Sequence, residues 1–186
     1  EDKTFGEALN SLLFDGFKRN HRQADQLLKE RESKTLEFKS TLRWSIKEGR
    51  HDDIGVTHAV LKTIAAFLNT EGGDLLIGVD DDRKIVGIEQ DGFAGEDEFA
   101  RHLIQCVQNG MGKRVGTCVD PRIQVIEGKT VCLVSCTRSP EPVWLTWKTR
   151  DKSGAAVPGN AKFFVRSGPR TDALNEEDAA KYIATR

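Results

Sequence analysis

Residues 56–81, VTHAVLKTIAAFLNTEGGDLLIGVDD, contain the patterns that decide the fold. Over residues 56–69, apolar side chains recur at helical spacing and form a face broad enough to be largely buried. Gly72 and Gly73 predict the end of this helix, because glycine readily adopts the left-handed conformation in which helices terminate. A continuous apolar run at residues 75–79 is typical of a central strand. The stretch therefore predicts a buried helix that leads directly into the middle of a sheet.

Elements of both types are predicted on either side of this stretch, and several predicted strands are adjacent in the sequence. This order favours an α+β fold over a doubly wound parallel sheet. We therefore expect a mixed, largely antiparallel sheet with flanking helices over residues 31–186, preceded by a helical appendage or linker over residues 1–30. Strands are predicted at 35–39, 75–79, 84–88, 121–127, 129–137, 142–147 and 161–166, and helices at 5–30, 56–69, 95–109 and from Asn175 onward.

Opposite charges are segregated along the chain. The formal net charge of the 186 residues is −1, from 28 basic and 29 acidic side chains, which by itself speaks against binding nucleic acid through bulk positive charge. Two segments are basic, however: residues 31–50 hold six basic and three acidic side chains, and residues 148–170 hold six basic and one acidic side chain. Residues 71–100 are acidic, with ten acidic and two basic side chains. The two basic segments could border a groove for a phosphate backbone, or they could be solvated loops.

Several other classes of site and location lack the sequence pattern that they need. The four cysteines and four histidines show no zinc-ligand spacing, so free thiols are expected. The glycine-rich stretch at residues 109–114 lacks the spacing of a nucleotide-binding loop, so no ATP site is expected. No apolar run is long enough to span a membrane and none has the form of a secretion signal, so we expect a cytoplasmic location and no membrane contact within this segment.

Carboxylates from three separate segments could meet at one metal site. Glu32 and Glu37 lie on either side of a predicted helix-to-strand transition, and Asp80–Asp82 follow the predicted central strand. If the strand of Glu37 pairs beside the central strand, these oxygens could bind Mg²⁺ or Mn²⁺, ions that activate water for phosphodiester cleavage. Lys39 lies two residues after Glu37, on the same side of a strand, where it could orient that water. The alternative is that the aspartates are ordinary turn residues and Glu32 is simple surface.

Four stretches of the chain are similar to motifs of one family, the Schlafen AlbA-like domains. Residues 32–39, ESKTLEFK, resemble the opening motif of the family, and residues 62–81 resemble its central helix–Gly-Gly–strand motif. Residues 84–87, KIVG, continue the central motif, and residues 164–168, FVRSG, resemble the closing strand. The resemblance spans about residues 32–186 and implies a mixed fold that binds nucleic acid.

The resemblance also implies a site and a mode of assembly. Schlafen nucleases cleave RNA or DNA with Mg²⁺ or Mn²⁺ held by three carboxylates, which by motif position are Glu32, Glu37 and Asp81 in this chain. Those nucleases use two such lobes as a clamp, so a single lobe implies a homodimer or a partner lobe. The family association extends to nucleic-acid processing, including defence against phage.

Three functions therefore remain open: an enzyme, a nucleic-acid-binding module and a protein–protein module. In a metal-dependent endonuclease, Glu32, Glu37 and Asp81 would hold the ion, Lys39 would assist, and four basic side chains would contact the nucleic-acid backbone. A non-catalytic DNA- or RNA-binding module that targets a larger protein would need only the basic segments. The third option is a protein–protein module built on the helix predicted at 5–30. The basic side chains assigned to the backbone are Lys34, Arg43, Arg166 and Arg170.

Overall fold

The computed structural model of the chain describes residues 22–186, which form four helices and eleven strands. The helices are α1 (Ala24–Leu27), α2 (Val56–Asn69), α3 (Glu96–Met111) and α4 (Glu176–Ala184), with short 3₁₀ turns at Glu89–Asp91 and Lys113–Cys118. The strands are β1 (Leu36–Lys39), β2 (Trp44–Ser45), β3 (Arg50–His51), β4 (Gly73–Ile77), β5 (Val119–Ile126), β6 (Lys129–Cys136), β7 (Trp144–Leu145), β8 (Lys148–Arg150), β9 (Ala156–Pro158), β10 (Lys162–Ser167) and β11 (Arg170–Leu174).

The main sheet has the strand order β1-β4-β6-β5. β1 and β4 are parallel, with Glu37 opposite Leu75 and Lys39 opposite Ile77, whereas the other pairs are antiparallel. Parallel neighbours need a long crossover connection, and the segment that contains α2 supplies it. The strand of Glu37 therefore does pair beside the central strand, as the carboxylate hypothesis requires.

A second, smaller sheet has the order β11-β10-β7 and is antiparallel throughout. Two short hairpins, β2–β3 and β8–β9, lie outside both sheets. α2 packs between the sheets, because its apolar face shares one core cluster with Leu75 and Ile77 of the main sheet and with Phe164 of the second. The opposite face of the main sheet is covered by α1, whose Ala24 and Leu27 are fully buried.

Asn69 at the end of α2 joins the helix to the second sheet. Its Nδ2 donates to the carbonyl oxygens of Val143 at 2.8 Å and Phe164 at 2.9 Å, and its Oδ1 accepts from the Val143 amide at 2.8 Å. Its backbone carbonyl accepts from the Tyr182 hydroxyl of α4 at 3.2 Å. A fully buried amide is tolerated here because its donors and acceptor are all satisfied.

The predicted α+β architecture is confirmed, with differences in the short elements. The helix predicted at 56–69 has those bounds, whereas the strand predicted at 84–88 is reduced to a single bridge between Val79 and Ile85. The hairpins and β11 were not predicted. The helix predicted at 5–30 falls mostly outside the described residues; within residues 22–30, which are described, α1 is the helical part. Among residues 22–186, no helix is both long and apolar enough to cross a bilayer.

Candidate functional site

The carboxylate of Glu37 on β1 is buried, as are those of Asp74 and Asp91. Leu36 and Phe38 point into the core beneath α1, so the alternation of the strand turns Glu37 and Lys39 to the opposite face. Glu37 is only 8% exposed. Its Oε1 forms an ion pair with the Lys39 ammonium, which also donates to the Phe38 carbonyl oxygen at 2.9 Å.

Arg166 on β10 engages the other oxygen of the same carboxylate. Its Nη1 donates to Glu37 Oε2 at 2.7 Å and to the Thr171 hydroxyl at 3.0 Å, and its Nη2 donates to the Ser33 carbonyl oxygen at 2.6 Å. The side chain is fully buried, and the guanidinium lies 5.0 Å from the centre of the Phe67 ring. Arg166 therefore ties the second sheet to β1 of the main sheet, and it is not exposed to a phosphate backbone.

The other two predicted metal ligands lie near the ends of the same strands. Oε1 of Glu32, an exposed residue, accepts a hydrogen bond from the Phe38 amide at 3.1 Å, which brings it beside β1. Asp81 is exposed in the turn after Val79, whose amide bonds to the Lys39 carbonyl oxygen at 3.2 Å. As placed, no three acidic, histidine or cysteine side chains within residues 22–186 form a group that could hold a metal ion.

The remaining predicted contacts for a backbone have different surroundings. Arg43 donates through Nε to the Asp91 carbonyl oxygen at 2.8 Å, and its guanidinium lies 3.7 Å from the centre of the Phe93 ring. Lys34 forms an ion pair with Glu71 at a polar pocket of about 190 Å³ that Arg138 and Arg186 also line. Arg170 is highly exposed and forms an ion pair with Asp172 at 3.1 Å.

Asp91 is a structural residue that the sequence reasoning missed. Its fully buried carboxylate accepts hydrogen bonds from the amides of Leu42, Arg43 and Trp44 at 2.8–3.1 Å. These bonds hold the chain where it leaves β1, next to the predicted site. No local signal marks this role, because the donors lie nearly fifty residues before the acceptor.

A basic hairpin stands out on the surface. β8 and β9 are mostly exposed and their connection, residues 151–155, is fully exposed. The hairpin carries Lys148, Arg150 and Lys152. Asp151 is its only acid, and this carboxylate accepts from Ser153 and Ala155 within the turn, hydrogen bonds that lower its pKa. Arg150 pairs with Asp52 at 2.9 Å. Lys148 and Lys152 form no ion pair with any residue of the described chain.

The cysteines are free thiols in the structure. Cys132 and Cys136 are buried on β6, and burial raises the pKa of Cys132 far above that of an ordinary thiol. The Cys132 thiol is therefore not prepared to act as a thiolate.

Fold and site together define an α+β domain in which a buried Glu–Arg pair joins two sheets and an exposed hairpin carries basic side chains. The sequence profile of the family described as "Schlafen, AlbA_2" matches residues 32–175. The chain belongs to this family, which is generally associated with nucleic acid. The expected resemblance is thereby confirmed.

A solved structure shares the fold at low sequence identity. The DIP2311 protein from Corynebacterium diphtheriae matches with a TM-score of 0.52 and 17% identity over 80% of this chain and 26% of that one. The chain thus spans about a quarter of that protein's length, and the likeness shows the fold alone. The N-terminal domain of an ATP-dependent DNA helicase RecG-related protein from Nitrosomonas europaea matches with a TM-score of 0.47 and 23% identity, over 83% of this chain and 96% of that one. No curated protein sequence matches the chain.

Proposed function

We propose that this domain binds nucleic acid, with the β8–β9 hairpin as its main contact to the phosphate backbone. The observation that carries the proposal is the state of the charges on that hairpin. Its one acid, Asp151, is engaged within the turn, whereas Lys148 and Lys152 are exposed and form no ion pair within the described chain. Unpaired lysines on a protruding hairpin can displace counterions from a phosphate chain, which is the main source of non-specific affinity.

The proposal is tested by fluorescence anisotropy with labelled RNA and DNA at several salt concentrations. The variant Lys148→Glu/Lys152→Glu is expected to weaken binding about tenfold or more and to reduce the slope of log K against log salt by about 1.5–2, since two phosphate contacts are lost. Lys113→Glu is the matched control, because Lys113 is exposed but lies outside both basic segments. Equal binding by the double variant and the control would contradict the role of the hairpin, and no binding of any strand at about 50 mM salt would refute the function.

The second candidate function is metal-dependent cleavage at Glu32, Glu37 and Asp81, with Lys39 beside them. Two observations favour it. The parallel pairing of β1 with β4 brings the ends of both strands together, and the aspartate turn follows the end of β4. A hydrogen bond from the Phe38 amide holds Glu32 beside β1. In the present arrangement each oxygen of Glu37 is paired with a cation, so a metal ion would compete with Lys39 or Arg166 for that oxygen. Carboxylate oxygens are suitable ligands for Mg²⁺ or Mn²⁺.

Cleavage is tested with labelled tRNA, single-stranded RNA and DNA in the presence of Mn²⁺. Asp81→Asn is expected to abolish cleavage, whereas Asp82→Asn, in the same turn but outside the trio, should retain it. Both residues are exposed, so neither change should unfold the domain. Cleavage that survives both Asp81→Asn and Glu37→Gln would exclude the three-carboxylate site.

We further propose that enclosing a duplex requires a second lobe, supplied by another copy of the chain or by a partner. Light scattering after gel filtration, with and without a duplex, measures this directly. A purely monomeric domain that protects a duplex from both sides in footprinting would contradict it.

A further inference from the structure

A cleft of about 720 Å³ opens between α3, the segment before α2 and the β8–β9 hairpin. Its volume lies within the range of about 300–1,000 Å³ that is usual for small-ligand sites. Its lining includes Asp53, Gln105, Cys106, Asn109, Trp147 and Lys148. It is separate from the Glu37–Arg166 pair, none of whose residues contribute to the lining.

Trp147 is a pre-positioned wall of the cleft. Its indole Nε1 donates to the Asp53 carbonyl oxygen at 2.8 Å, and its own carbonyl oxygen accepts from the Gly159 amide at 2.9 Å. Residue 159 must be small, because a Cβ there would lie 2.3 Å from that carbonyl oxygen. A flat aromatic surface fixed in this way can stack with a ligand at little cost in conformational entropy.

Two exposed side-chain amides face the same cleft from α3. Gln105 and Asn109 lie four residues apart, on one side of the helix, and both are exposed. Within residues 22–186 neither side chain makes a hydrogen bond to protein. Each therefore offers two donors and an acceptor to a ligand. Lys148 completes the rim, with its Nζ 5.8 Å from the centre of a Trp147 ring.

The cysteine of the cleft does not point to covalent chemistry. Cys106 Sγ lies 3.5 Å from His102 Nε2, but burial raises the pKa of Cys106 to about 11 and lowers that of His102. At neutral pH the thiol is protonated and the imidazole is uncharged, so the pair is not a thiolate–imidazolium pair. The cleft is thus suited to binding a ligand rather than attacking it.

We propose that this cleft holds one unstacked base of single-stranded nucleic acid, stacked on Trp147, with its polar edge towards Gln105 and Asn109 and its phosphate towards Lys148. A stacking aromatic, free amides and a bordering cation are together the features that single-strand readers use. A paired base cannot enter, since its edge and faces are occupied in the duplex. The inference rests on the proposed nucleic-acid function and adds the preference for single strands.

The test compares a labelled single strand with a duplex of the same sequence. The protein is expected to bind the single strand at least tenfold more tightly than the duplex. Gln105→Ala/Asn109→Ala should weaken single-strand binding at least fivefold without changing its salt slope, because no phosphate contact is lost. Trp147→Leu should weaken it about tenfold or more, and Trp147→Phe less, because phenylalanine can still stack. Gln26→Ala, an exposed glutamine of α1, is the matched control.

The outcomes separate this inference from the function on which it rests. If strands bind but the duplex binds equally well, or the amide variant behaves like Gln26→Ala, the base site is wrong and the hairpin proposal stands. If no strand binds, the proposed nucleic-acid function is wrong. NMR titration with millimolar nucleosides then tests separately whether the cleft binds a base. Shifts of the Trp147 indole and the Asn109 amide signals would support base binding, and their absence with all four nucleosides would overturn it.

Discussion

Glu37 has a structural role that is separate from its proposed role as a metal ligand. Its carboxylate is buried between Lys39 and Arg166, so its charge is balanced where water cannot solvate it. Burying such an ion is costly unless it is paired and hydrogen-bonded. The contacts with both cations therefore make Glu37 a structural link between the two sheets, whether or not it also takes part in chemistry.

Removing Arg166 should be strongly destabilising. Arg166→Met is expected to lower the free energy of unfolding by about 3–5 kcal/mol, because Glu37 then remains buried with Lys39 as its only charged partner among residues 22–186. Urea unfolding followed by circular dichroism measures the change. Arg170→Met, an exposed arginine of β11, is the control and should change stability by less than about 0.5 kcal/mol.

The double variant Arg166→Met/Glu37→Leu distinguishes pairing from packing. If the pair is the cause, the double variant should lose less stability than the sum of the two single variants, since no unpaired carboxylate remains. Strict additivity of the two losses would contradict the account of Glu37 as a paired, buried ion.

At the scale of elements, the α2–β4 connection is fixed by a close contact. Gly73 begins β4 after a connection of three residues, 70–72, and a Cβ at this position would lie 2.6 Å from the Phe67 ring. Phe67 is itself fully buried between the two sheets and cannot move outward. The second glycine of the Gly72-Gly73 pair is therefore required for space, in addition to the role in helix termination that the sequence predicts for the pair.

Gly73→Ala is expected to destabilise the domain by about 1–3 kcal/mol through overpacking against the Phe67 ring. The same substitution in a Phe67→Leu background should cost clearly less, because the ring atoms that clash are gone. Thermal unfolding of the four proteins gives the coupling energy. An equal cost in both backgrounds would show that the contact with Phe67 is not the reason for glycine.

Long apolar elements were predictable from sequence, and short polar ones were not. α2, β4, β6 and α4 have strong local signals. Asn175, from which the last helix is predicted to run, caps α4 by accepting from the Asp178 amide. β8 and β9 have three residues each and little apolar pattern, so their pairing depends on tertiary contacts. The candidate site was predictable in part: Glu37 and Lys39 share a strand face, but the partner of Glu37 lies 129 residues away and no local pattern indicates it.

At the scale of the whole molecule, two histidines should make stability depend on pH. Burial, followed by the charges of Lys62 and Lys162, lowers the pKa of His58, and burial, followed by Arg43, lowers that of His102. An unfolded histidine has a pKa of about 6.5. Between the folded and the unfolded value, the unfolded chain binds the proton and the folded chain does not. The free energy of unfolding therefore decreases as the pH falls from about 7 through that window.

The measurement is urea unfolding at several pH values between about 7 and 5, above the range in which carboxylates with lowered pKa values titrate. His58→Gln/His102→Gln should flatten the dependence, because the groups that take up protons on unfolding are removed. An unchanged slope in the double variant would mean that other groups cause the effect.

The bonds of Asn69 have a consequence for how the chain folds during translation. All strands of the main sheet lie within residues 36–136, so a nascent chain of that length already contains them. The side-chain partners of Asn69, however, are Val143 and Phe164, which lie 74 and 95 residues beyond it. Until these residues leave the ribosome, the Asn69 side chain lacks its hydrogen-bond partners in the protein, and the apolar face of α2 is uncovered. The domain is therefore complete only after the strands of the second sheet have been synthesised. A pause in their synthesis prolongs the period in which the apolar face of α2 is exposed to other proteins.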